Sequence, residues 1–263
     1  MKPVPADFIE LDREEPSRKP ASISRILARP FNKFWVYFGT GGSKIGHNQD
    51  TPGVARVDHE SSEEPTFRAQ LGYFLSKKSA IVFSGEQYSG LYNDASNTVN
   101  EQYTLSSYSL DGYYLLGQGK YNKRQRNRFY ISYGASFKNN IVFETYNSSA
   151  SASVPNQNFV NGQLGLGLKS LFGNKIITNL LLTYTHPFSV DSDANDFEFN
   201  SSVLFDTLLS MDVQVTNNFL FGLYLNAQFH KFDYSISDGF EDASGTVDYS
   251  NFGGGVRLGY GFK

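Results

Sequence analysis

From Phe31 to Phe262 the chain alternates apolar and polar residues at a period of two, in runs longer than the about five or six residues of an ordinary strand. A period of two places one set of side chains on each face of an extended segment, whereas a helix would scatter the same set around its circumference. The clearest run sets Phe219, Phe221, Leu223, Leu225, Ala227 and Phe229 against Leu220, Gly222, Tyr224, Asn226, Gln228 and His230. A second sets Phe129, Ile131, Tyr133, Ala135 and Phe137 against Tyr130, Ser132, Gly134, Ser136 and Lys138. A third sets Phe197, Phe199, Val203, Phe205 and Leu209 against Glu198, Asn200, Ser202, Asp206 and Ser210. The pattern recurs in Val160–Leu168, Ile176–Tyr184, Tyr108–Leu116, Phe67–Leu75 and Phe252–Phe262, and more weakly in Phe34–Phe38 and Ala80–Leu91.

Composition narrows what such strands can build. Aromatic residues reach 16% of the 263 residues and charged residues only 19%, against about 25% charged in ordinary soluble domains. Gly, Ser, Asn, Phe and Tyr dominate over the helix formers, which excludes a mostly helical enzyme. No stretch of about 18 apolar residues occurs, so a helical span is excluded, while a membrane barrel is not, because its strands need only alternate apolar residues. Mean hydropathy is −0.38. A net charge of −3 and a pI near 5.8 argue against a nucleic-acid partner. The absence of Cys excludes thiol catalysis, Cys-ligated zinc and disulfides.

Residues 1–30 mix Pro, Glu, Asp, Arg and Lys and read as an N-terminal tail or plug, with 31–263 as the barrel. The start MKPVPADFIELDREEPSRKP has no apolar core and no small-residue cleavage site, so it is no secretory signal; an exported protein would carry it in mature form. Ser22–Arg29 has the pattern of a short helix, with Ile23, Ile26 and Leu27 on one face.

Counting runs gives about ten strands, an even number as in bacterial single-chain membrane barrels. The connections alternate. Short or basic ones are Lys77–Ser79, Gly119–Arg126, Phe172–Lys175 and Val215–Asn218; long polar ones are Gly41–Pro65, Asn93–Asn100, Tyr146–Asn156, Pro187–Asp196 and Ser235–Val247. The expected fold is therefore all-β: an up-and-down antiparallel transmembrane barrel with both termini at the short-turn rim.

A soluble barrel would pack its apolar face inside, so the polar face decides between the two. It lacks the Lys and Glu of a watery surface. Asn251, Gly253, Gly255, Gly259 and Gly261 form one such face, and Asn161, Gln163, Gly165 and Gly167 another. Glycines suit a narrow interior, where they leave room for larger residues opposite. The lipid-facing set is then Phe129, Ile131, Tyr133, Phe137, Phe219, Phe221, Leu223 and Leu225, with Phe219 and Phe229 where interfacial aromatic girdles would lie.

The last residues, NFGGGVRLGYGFK, put Val256, Leu258, Tyr260 and Phe262 in strict alternation. This resembles the C-terminal insertion signal of Gram-negative outer-membrane β-barrels, although the family ends on the aromatic and here Lys263 follows. The resemblance is architectural, to small barrels of the OmpA, OmpX and omptin kinds, and covers Phe31 to Phe262. It implies a bacterial outer-membrane location, membrane lipids around the barrel and the barrel-assembly machinery as a partner during insertion.

Arg68, Glu86, Asp111, Glu198, Asp206, His230 and Arg257 are the charged or titratable residues expected on the interior face. Arg68 and Glu86 would lie diagonally across neighbouring strands. Charges in a narrow barrel must pair or be hydrated. A salt-bridged interior makes a structural or binding barrel, presenting acidic loops or the tail to a protein partner; a hydrated one makes a narrow, porin-like channel. A rim hydrolase is the third reading, because omptin-family proteases place Asp and His at the loop rim. Here the pairs to test are His186 with Asp191 and Asp193, or His230 with Asp233, though neither matches a family motif. No catalytic residue, cofactor or metal is assigned: the GTGG at Gly39–Gly42 lacks the Lys of a phosphate loop, and His47 and His59 lack ligand spacing.

Overall fold

A computed structural model describes residues 33–51, 55–61, 64–76, 78–93, 100–116, 127–141, 144–146, 151–153, 156–172, 176–192, 197–216, 218–237 and 242–262. The tail expected at 1–30 and the basic connection Gly119–Arg126 lie outside them. Among the described residues every regular element is a strand: β1 (Phe34–Thr51), β2 (Ala55–Glu60), β3 (Glu64–Phe74), β4 (Ser79–Asn93), β5 (Asn100–Leu115), β6 (Asn127–Ile141), β7 (Glu144–Tyr146), β8 (Ser151–Ser153), β9 (Asn156–Phe172), β10 (Ile176–Ser192), β11 (Phe197–Gln214), β12 (Phe219–Ser237) and β13 (Asp242–Phe262).

Ten of these close a ring in the order β1, β3, β4, β5, β6, β9, β10, β11, β12, β13, each antiparallel to the next. Closure runs along the whole length of β1, from Phe34 opposite Phe262 to Asp50 opposite Thr246. The fold is a ten-strand up-and-down barrel. We call the end with Phe34 and Phe262 the lower rim. Two of its tight turns are built alike. The Ser76 hydroxyl accepts from the Lys78 and Ser79 amides at 3.1 Å, and Thr216 Oγ1 accepts from the Asn218 and Phe219 amides at 3.3 and 3.1 Å. A hydroxyl residue at this position satisfies backbone donors that the ladder leaves behind.

At the upper end the strands run further than the sequence suggests. Gly41–Pro65 reads as a loop, yet β1 continues through it to Thr51 and β2 folds back on β1, from Thr51 opposite Ala55 to Gly46 opposite Glu60. The 21 residues of β13 far exceed the roughly 9–11 that cross a bilayer. Polar residues on both faces hide such extensions from a pattern search.

The outer surface carries an apolar belt. On β12 it runs from Phe221 to Phe229 and ends at Lys231 and Asp233; Leu225, near its middle, is 60% exposed. Rings gather at its two edges. Phe34 packs on Phe262 and Tyr260 on Phe262, each at 5.1 Å, below; Phe229 packs on Phe252 at 5.2 Å and Tyr184 on Phe205 at 5.4 Å, above.

Inside, aromatic residues lie over glycines directly opposite them. Trp35 faces Gly72, Tyr103 faces Gly90, Tyr130 faces Gly167 and Tyr234 faces Gly245, and a Cβ added at any of these glycines would run into the ring. The glycines are what let large rings fit a narrow lumen.

Candidate functional site

The lumen is the place where polar chemistry collects, and its side chains stack in layers. Next to the lower rim Trp35, Phe74, Ala80, Val82 and Leu220 form an apolar cluster, with Tyr37 and Tyr113 against it. Above it Arg257 grips Asp212 with two bonds, Nε to Oδ1 at 2.8 Å and Nη2 to Oδ2 at 2.5 Å. The same Nη2 donates to Ser210 Oγ at 2.7 Å, and the guanidinium sits 4.7 Å from the Tyr37 ring centroid. Bidentate geometry makes this the strongest kind of ion pair available to a buried site. Tyr130 donates its hydroxyl to Asn179 Oδ1 at 2.8 Å and carries the Lys169 ammonium 5.4 Å over its ring.

The next layer surrounds a chamber of about 90 Å³. Asp111 accepts from Gln163 and from Ser109, the latter at 2.8 Å. Arg68 and Glu86 stand directly opposite in the register, not diagonally, and do not form a salt bridge. Arg68 lies 5.9 Å over the Tyr224 ring, and Glu86, only 7% exposed, makes no hydrogen bond or ion pair among the described residues.

A third layer closes the chamber from above. Lys138 pairs with Asp206, His230 Nε2 lies 3.2 Å from the same carboxylate, and Asn140 Nδ2 lies 3.2 Å from His230 Nδ1. Beside them Tyr88 donates to Gln228 Oε1 at 3.0 Å, and Tyr249 donates to Tyr88 at 3.1 Å. Two apolar clusters cap this layer: Ile45, Tyr88, Tyr103, Leu105 and Tyr249 on one side, and Phe159, Phe232, Tyr234 and Val247 on the other.

Of the residues expected inside, Arg68, Glu86, Asp111, Asp206, His230 and Arg257 face the lumen. Glu198 does not. A bulge between Phe199 and Ser201 shifts the phase of β11, so Phe199 turns inward onto Phe159 and Phe232 and Glu198 is left exposed outside. An extra residue in one strand inverts the alternation beyond it. Phe129, Tyr133, Phe137, Phe221, Leu223 and Leu225 are exposed on the outer face, and Ile131 and Phe219 are partly covered there. Val256, Leu258, Tyr260 and Phe262 also point outward.

The pairs considered for hydrolysis are not assembled. His230 faces the lumen while Asp233 accepts from Ser201 at 2.6 Å near the outer surface. His186 is exposed outside beside Phe188, with Asp191 exposed further along β10; Asp193 lies outside the described residues. His47 and His59 are both buried and face each other across the β1–β2 ladder, with His59 Nε2 3.0 Å from the Tyr103 hydroxyl. Among the described residues, the charged lumen residues Arg128, Lys169 and Asp212 escaped the sequence reading, and Lys138 was placed on the polar face but not among the interior charges. The signal was present. Lys138 continues the Ser132, Ser136 face, Lys169 the Gln163, Gly165, Gly167 face, and Asp212 the Asp206, Ser210 face.

A ten-strand up-and-down barrel with a greasy exterior and a polar, layered interior has the architecture of outer-membrane β-barrels. Several solved structures are similar to this one. The outer membrane protease OmpT of Escherichia coli aligns with a TM-score of 0.57 at 10% identity, over 89% of this chain and 98% of that one. The translocator domain of the autotransporter NalP from Neisseria meningitidis aligns at 0.44 with 10% identity, over 97% and 98%. The N-terminal barrel domain of Pseudomonas aeruginosa OprF aligns at 0.32 with 14% identity, over 82% and 98%. No protein-family description matches the chain, and no curated protein sequence does. At such identities the likeness is one of fold.

Proposed function

We propose that this chain is an integral β-barrel of a bacterial outer membrane, acting as a structural or binding barrel rather than as a through-channel or a hydrolase. The observation that carries the reading is the combination of an outward apolar belt with a lumen crossed by successive layers of buried side chains. Membrane lipids cover the belt. The last strand of the barrel, β13, with Val256, Leu258, Tyr260 and Phe262 outward, is the segment offered to the barrel-assembly machinery. The lower rim, with the tail, faces the periplasm, and the upper strands and loops face outward and meet any protein partner.

The test is refolding into detergent and into planar bilayers. A β-rich species whose electrophoretic mobility changes on boiling is expected, with no stable single-channel conductance. A chain that stays soluble and monomeric without detergent overturns the membrane assignment. Steady conductance that changes when Arg68 or Asp206 is neutralised replaces the binding barrel with the channel. Loss of a screened hydrolytic activity in His186→Ala or His230→Ala would instead establish the rim hydrolase.

A further inference from the structure

Among the described residues Lys169 and Arg257 face the lower half of the lumen together with one carboxylate, Asp212. Lys169 stands opposite Arg128 across the β6–β9 ladder. Both carboxylate oxygens of Asp212 accept from Arg257, and Asp212 forms no direct ion pair with Lys169. Lys169's other cross-strand neighbour, Asn179, already accepts the Tyr130 hydroxyl through its Oδ1. The Lys169 ammonium therefore has a ring face for company and no carboxylate within ion-pair distance among the described residues.

This ammonium lies at the inner end of a cavity of about 110 Å³. The cavity reaches inward from the turn at Lys78 and Ser79, and its walls near the rim are Trp35, Phe74, Ala80 and Val82. An apolar throat leading to a buried ammonium with no direct ion-pair partner among the described residues is complementary to an amphipathic anion. Size limits the ligand: an apolar cavity of about 150 Å³ takes up benzene, so this one accepts a carboxylate with a short chain.

We propose that this lower vestibule is a binding site for small monocarboxylates, with the carboxylate on Lys169 and the alkyl chain against Trp35, Phe74 and Val82. The site goes beyond the barrel reading, since it needs neither conduction nor a protein partner.

Trp35 is the single tryptophan of the chain and lines the site, so its fluorescence reports occupancy directly. The full chain, refolded in detergent, is titrated with sodium butanoate, butanol and butylammonium chloride at constant ionic strength. Butanoate should give a saturable change in Trp35 emission, with the other two at least tenfold weaker. Lys169→Gln should weaken butanoate at least tenfold and Lys169→Arg should retain it. Ala80→Leu, which narrows the throat and leaves Lys169 in place, should also weaken it. Boiling-dependent mobility verifies that each variant is folded, and its loss in the native chain would speak against the barrel reading, not against the site. Equal responses to butanoate and butanol, no saturable response to butanoate, or a folded Lys169→Gln chain that binds as the native one does would each overturn the proposal.

Discussion

Individual charges in the lumen have different fates, and substitution should separate them. Removing one partner of a buried, hydrogen-bonded ion pair strands the other, at a cost of about 3–5 kcal/mol. Asp212→Asn leaves Arg257 in that position and should lower the unfolding free energy in urea by this amount. Glu86 is the opposite case. It is buried without an ionic or hydrogen-bonding partner among the described residues, so Glu86→Gln removes a charge that nothing compensates and should leave stability unchanged or raise it. A large loss in Glu86→Gln would mean that Arg68 turns from the Tyr224 ring to the carboxylate in solution. Neither fate was legible in sequence, where Arg68 and Glu86 looked like the natural pair: spacing gives the face a residue occupies, but not which of several partners its charge selects.

At the scale of elements, the β1–β2 hairpin stands above the belt and holds a titratable group of its own. Burial pushes the His59 imidazole below its usual pKa of 6.5. The folded hairpin therefore keeps His59 neutral at pH values where the unfolded chain takes up a proton. Its contribution to stability is complete above 6.5 and declines as pH falls below that value. Hydrogen exchange of the β2 amides, corrected for intrinsic rates, should lose protection on acidification, and His59→Gln should lessen the dependence. Flat protection across that range would contradict it. The ten barrel strands were legible because a period of two persists wherever one face meets lipid. The hairpin was not, since from Ser43 and Lys44 to the end of β1 Ile45 is the one apolar side chain and polar residues occupy both faces. The phase change in β11 was hidden for another reason. Phe197 and Phe199 are as apolar as the residues of the belt, and only the bulge before Ser201 reveals that Phe199 packs inside.

For the molecule as a whole, the sharpest expectation concerns the belt. Leu225 is exposed and contacts no core, so in a water-soluble barrel Leu225→Arg would be nearly neutral. In a bilayer the same change near the midplane should cost about 2–4 kcal/mol, and less towards the interfaces. Refolding into liposomes over a urea series measures it, with Lys231→Leu, beyond the belt, as the companion substitution expected to change little. Equal and small effects at both positions would remove the basis for the membrane assignment.

Because β13 closes on β1, with Phe34 opposite Phe262, the first and last strands of the barrel are neighbours in a ring that has no structural beginning. Where the polypeptide is cut is then a matter of covalent history. A circular permutant that joins Phe262 to Phe34 through a short linker and opens between β4 and β5 would keep every ladder of the ring. It would also move Val256, Leu258, Tyr260 and Phe262 from the last strand of the barrel to an internal one. Such a protein should refold in detergent as the native one does, yet fail to insert in cells if the assembly machinery requires those residues in the last strand. The closed ring thus separates what the barrel needs to be stable from what it needs to be delivered.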